Sequence, residues 1–219
     1  MTIGERYSIA NPVIASYSYT DLADNTGYVI YYGASANTDA GMTYELTNSS
    51  TYSYKVQLSG STASTTVVRV LAQPFDIKFN RAAIVKGKMR VQVPSTLNGG
   101  TNTLYYLSGS FSKVSDETET VITSFRQEDR GSSSASVETA GIISNIPLNI
   151  SGSQYFKAGD TLRINLEMYA KTSSGTSTCY ILSDPQNRSG PDITVSSTAS
   201  TTTVPTSIMA VHVPFVINT

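Results

Sequence analysis

Residues 155 to 171 read YFKAGDTLRINLEMYAK. Leu162, Ile164, Leu166 and Met168 alternate with Arg163, Asn165, Glu167 and Tyr169, directly after Gly159-Asp160. Apolar residues at every second position put one side of an extended chain into a core, and Gly-Asp supplies the turn that starts it. The stretch is a turn followed by a two-faced strand. One face belongs to a core; the other meets water, a pocket or another protein.

Similar short runs recur along the chain. Strands are predicted at 14–19, 28–32, 42–46, 52–58, 65–71, 75–79, 84–93, 103–114, 119–126, 161–170, 177–182 and 207–217, with one or two more within 135–150. They are rich in Val, Ile, Thr, Tyr and Phe, and no segment has a helical repeat. Turn chemistry separates them at Asp24-Asn25, Ser59-Gly60-Ser61, Asn98-Gly99-Gly100, Lys157 to Asp160 and Ser189-Gly190-Pro191. Gly131 to Ser134 and Ser196 to Thr203 read as surface loops. The fold expected is all-β, an antiparallel two-sheet sandwich of jelly-roll type. It would form a single domain over residues 1–219, with 1–13 either an extended N-terminal arm or the first edge segment.

Serine and threonine make up 60 of the 219 residues, and charged residues only 14%. A net charge of −1 gives no global attraction to nucleic acid or anionic lipid. No apolar run approaches the ~18 residues of a membrane-crossing helix. The opening MTIGERYSIANPV has neither the charged nor the apolar region of a secretory signal, so folding in a cytoplasm is expected. The single cysteine, Cys179, cannot form an internal disulfide and reads as a small buried hydrophobe.

Motifs for chemistry are sparse. His212 is the sole histidine and lies in the alternating run ending the chain, opposite its apolar face. It reads as a strand histidine rather than a base, and Cys179 is its only possible thiol partner. No phosphate-binding glycine loop, HExxH or CxxC occurs, so no cofactor and no metal are expected. Asp116, Glu117 and Glu119, and then Glu128-Asp129-Arg130, read as charged hairpin tips. For Asp184 to Arg188 with Asp192, the main reading is an Asp-Pro turn in which Asp184 pairs with Arg188; the other is an irregular calcium site. The expectation is that the protein is not an enzyme. In VKGKMRVQV, Lys86, Lys88, Arg90 and Gln92 share one strand face. Three like charges at spacing two call for solvent or an acidic partner.

Three motifs in the last third resemble virion structural proteins of tailed bacteriophages: Gly159-Asp160-Thr161-Leu162, then Asp184-Pro185 with Arg188, then Val213-Pro214-Phe215 with Ile217. The first is also similar to turns in trimeric jelly rolls of the tumour-necrosis-factor and C1q kind. The resemblance implies a capsid decoration or cement protein, homotrimeric, located in the virion and made in the host cytoplasm. It would bind the major capsid protein or other virion subunits, and no nucleic acid or membrane. The partner-facing candidates are Lys86, Lys88, Arg90, Arg163, Glu167 and Tyr169; Asp184 and Arg188 form a candidate structural loop. A tail-fibre or spike head binding a host glycan is the alternative, with tyrosines replacing the absent tryptophan as stacking surfaces.

Overall fold

The computed structural model describes residues 15–16, 26–38, 41–48, 56–132, 142–184, 193–196, 201–204 and 208–216. These hold β1 (Ala15–Ser16), β2 (Thr26–Thr38), β3 (Gly41–Thr47), β4 (Val56–Thr62) and β5 (Val68–Lys78). Next come β6 (Ala83–Thr101), β7 (Thr103–Ser115), β8 (Thr118–Arg126), β9 (Arg130–Ser132) and β10 (Ile142–Phe156). The chain continues with β11 (Thr161–Lys171), β12 (Ser174–Ser183), β13 (Ile193–Ser196), β14 (Thr201–Val204) and β15 (Ala210–Val216). Thirteen strands join in one sheet, ten of them along the path β4-β12-β6-β15-β2-β3-β5-β11-β7-β8, with β1 on β2, β10 on β6 and β9 on β7; β13 and β14 pair separately. Every pairing is antiparallel except the bridge between Glu45 of β3 and Asp76 of β5. That single bridge marks where the sheet turns back on itself to make two layers.

One layer contributes Met89, Val91 and Val93 of β6, Ile146 and Leu148 of β10, and Val211 and Val213 of β15. The other contributes Phe75 of β5, Leu107 and Phe111 of β7, and Leu162, Ile164, Leu166 and Met168 of β11. They form one buried cluster, tied across the layers by Phe156 of β10 against Phe111 of β7. Complete exclusion of water from the β11 face is the main drive here, because each buried aliphatic side chain contributes about 1.5–3 kcal/mol. The fold class is thus all-β, a sandwich of jelly-roll-like character.

The turn before β11 shows how the strand is held in register. Gly159 sits at φ +96°, a backbone conformation costly for other residues. Its amide donates to the Phe79 carbonyl at 2.7 Å, and the Phe79 amide donates to the Asp160 carbonyl at 2.8 Å. The Asp160 carboxylate accepts the Lys157 amide at 2.8 Å and the Ser115 hydroxyl at 2.7 Å, with Lys113 Nζ at 3.1 Å. Asp160 therefore fastens the start of β11 to the end of β7 through its carboxylate, and to Phe79, just past β5, through its backbone carbonyl.

Several expected boundaries differ. Ser59-Gly60-Ser61 lies inside β4, not in a turn. Gly60 is there because a Cβ would collide with the Val70 carbonyl of β5. Asn98-Gly99-Gly100 stays paired with β12 inside the long β6, and the turn comes at Asn102, φ +47°. The expected strands at 65–71 and 75–79 are one strand running through Pro74. Proline is tolerated because β5 has a full partner, β11, along one side only. Ser196 to Thr203, expected as loop, supplies parts of the β13–β14 hairpin. The candidate arm 1–13, the turns at 24–25 and 189–191, and Arg188 lie outside the described residues.

Candidate functional site

The outer faces of the two layers handle charge differently. On the β5–β11–β7–β8 face, the side chains of β11 that alternate with the core point outward and are half-buried. Arg163 donates from Nε and Nη2 to both oxygens of Asp76, each at 2.7 Å, and from Nη1 to Glu119 at 3.0 Å. Asn165 donates to the other Glu119 oxygen at 2.7 Å. Glu167 accepts Arg69 at 2.8 Å and the Tyr169 hydroxyl at 2.9 Å. Tyr169 stacks on Tyr106 of β7 with centroids 5.0 Å apart, and the Arg126 guanidinium lies 4.0 Å from the Tyr106 ring centre. Four strands are cross-linked by this network, which pairs Arg163 and Glu167 within the chain. A groove of about 470 Å³ crosses the same face, with Gly109, Ser110, Asn165 and Glu167 among its lining.

The face built on β6 leaves its cations unanswered. Lys86, Lys88 and Arg90 are all exposed, and none makes an ion pair with a described residue. Arg90 donates to the Asn145 side-chain oxygen at 2.7 and 3.2 Å. The pairing of β6 with β10 and β15 sets Pro147 and His212 on either side of Arg90. A groove of about 480 Å³ results, lined by Tyr28, Lys88, Met89, Arg90, Asn145, Pro147 and His212. Burial, and then the Arg90 charge, hold the His212 imidazole below its ordinary pKa. The groove thus presents two fixed cations and a neutral histidine, with no carboxylate among the described residues of its lining. Its chemistry suits a carboxylate or another anion.

Cys179 does not line this groove; it is fully buried, and burial pushes its thiol up to about 12. It is no nucleophile for His212. Asp184, expected in a loop, is fully buried beyond the end of β12, and its pairing with Arg188 falls outside the described residues. No group of three or more His, Cys, Asp and Glu side chains among the described residues is placed to hold a metal ion. Of the acidic tips, Asp129 pairs with Arg126 at 2.6 Å and Glu119 pairs with Arg163 on the outer face at 3.0 Å. Asp116 and Glu117 remain, exposed at the β7–β8 turn, as does Glu128 beyond β8, none of them in an ion pair with a described residue. The histidine groove was hard to read from sequence. The parity of His212 was visible, but not the pairing of β15 with β6 that brings it to Arg90.

No family model matches the sequence, and no curated protein matches it. Among solved structures, the chain is similar to a CocE/NonD family hydrolase from Staphylococcus aureus, at 12% identity and TM-score 0.48, over 88% of this chain and 37% of that one. It is also similar to a structure of infectious bursal disease virus, Gx strain, at 10% identity and TM-score 0.32, over 93% of this chain and 54% of that one. A third is the VP2 subviral particle of the same virus, at 10% identity and TM-score 0.26, over 80% and 40%. The chain therefore spans between about a third and about half the length of these proteins. None of the three is from a tailed bacteriophage. The expectation that the chain is not an enzyme is corrected here, since hydrolase structures are among those it matches, and that exclusion is withdrawn. At TM-scores below 0.5, these likenesses to hydrolases and to viral capsid structures assign neither an activity nor an assembly.

Proposed function

We propose that the protein is a virion structural component that decorates or cements a phage capsid as a homotrimer, meeting neighbouring subunits through the outer face of β6, β10 and β15. The observation that carries this reading is the contrast between the faces. Arg163 and Glu167 are paired at home, whereas Lys86, Lys88 and Arg90 stand in a row without an acid among the described residues. Like charges at spacing two repel one another, and an acidic subunit surface would relieve that. Repeated contacts of modest strength, made by each copy in a symmetric shell, add to durable attachment. The low share of charged residues, 14%, suits a protein surrounded by others.

The test is the solution mass by light scattering, with and without capsid shells of the virus that encodes the chain. A trimer that co-sediments with shells is the expected result. A monomer that ignores shells overturns it. The groove over Gly109, with Asn165, Glu167 and the neighbouring Tyr106–Tyr169 pair, favours glycan binding as the second reading. Specific signals on a glycan array, lost in Asn165→Ala, would support that reading instead.

A further inference from the structure

We propose that the acidic β7–β8 tip of one copy, Asp116-Glu117, docks into the Lys88/Arg90 groove of the next copy. This rests on the self-association in the reading above and names the contact that makes it. The tip is a two-residue hairpin turn, Ser115 to Thr118, with both central residues at positive φ: +48° at Asp116 and +65° at Glu117. Such a turn is best served by Asn-Gly, and a long side chain such as glutamate is strained there. The chain nonetheless carries two carboxylates at the position, and strain kept at an exposed tip is a mark of use.

Charge complementarity picks the occupant. Among the described residues, Asp116 and Glu117 are the one adjacent pair of carboxylates in which neither makes an ion pair. Lys86, Lys88 and Arg90 are the matching unpaired row of cations. The tip is also preorganised. Ser115, its first residue, donates to Asp160 at 2.7 Å, and Lys113 is held by both Asp160 and the Tyr155 carbonyl. A rigid hairpin end presenting two carboxylates loses little freedom when it enters a groove. Tip and groove are different surfaces of the chain, so the contact is head-to-tail, and three such contacts about a threefold axis close a ring.

The test is a charge swap followed by light scattering. Wild type is expected at the mass of three chains, dissociating in high salt. Asp116→Asn with Glu117→Gly is expected at the mass of one chain while melting no lower than wild type, so loss of assembly is not loss of fold. Reversal of Asp116 and Glu117 to Lys, or of Lys88 and Arg90 to Glu, is expected to give monomers. Mixing the two reversed proteins does not rebuild the ring, but both reversals within one chain restore the trimer. A trimer unaffected by either reversal overturns this contact and leaves the trimeric reading standing. A monomeric wild type overturns both. Failure of the combined reversals to reassemble also rejects the pairing.

Discussion

Asp160 shows how much a single side chain can organise. Hydrogen bonds from the Lys157 amide and then the Ser115 hydroxyl, with the Lys113 ammonium, outweigh its burial and bring its pKa down to about 2. In the unfolded chain an aspartate titrates near ~3.9. The folded state therefore favours the ionised form. The stabilisation is whole above the unfolded value and is lost as pH falls through the folded one, because the unfolded chain binds the proton first. Urea midpoints are expected to fall between about pH 4 and pH 2 in wild type, and Asp160→Asn should flatten that part of the profile. An unchanged slope in the variant would remove Asp160 from the account. Arg163 is the other residue with distant consequences, bridging Asp76 of β5 to Glu119 of β8. Arg163→Lys cannot reproduce the two-pronged contact, and a loss of roughly 1–2 kcal/mol is expected by chemical denaturation. The alternation that sends Arg163 outward was plain in the sequence. Its two acids were not, because both lie on other strands.

At the scale of elements, local rules fail where tertiary contact overrides them. Ser-Gly-Ser at 59–61 has turn composition, yet it forms part of β4 because β5 passes too closely for any side chain at Gly60. Gly60→Ala is expected to push the two strands apart and cost about 1–3 kcal/mol, measured as a lower melting temperature. The β7–β8 turn runs the other way: its hairpin was legible, and its residues are poorer than the geometry allows. Replacing Asp116-Glu117 by Asn-Gly removes the penalty of a left-handed glutamate and should stabilise the fold by roughly 1 kcal/mol. A gain in stability together with a loss of assembly would show that the tip is kept for contact. A loss of stability would mean that the carboxylates support the hairpin itself. Asn98-Gly99-Gly100 misled for a related reason. Glycines with φ of +78° and +75° signal a loop in isolation, but here they let one strand twist while it stays paired with β12.

For the molecule as a whole, the sequence made the layers legible and left the path between them hidden. Period-two runs such as β11 show which residues go inward, and Leu162, Ile164, Leu166 and Met168 are all fully buried. Which strand lies beside which depends on pairings far apart in the chain, such as β15 with β6, and those decide where the cationic groove forms. The two layers share one hydrophobic cluster and are joined in the sheet path by a single bridge between β3 and β5. If the shared core governs stability, the layers should unfold together; if the sheet path did, they would separate at that bridge. The chain has no tryptophan, so one can be introduced on each layer as a private reporter. Tyr155 of β10 and Val121 of β8 are 53% and 58% exposed, and a tryptophan at either should leave the core untouched. Coincident fluorescence midpoints for Tyr155→Trp and Val121→Trp, matching far-ultraviolet circular dichroism, are expected for one cooperative unit. Separated midpoints would mean that the layers are stabilised independently, and the cross-layer contact of Phe156 with Phe111 would then not govern the fold.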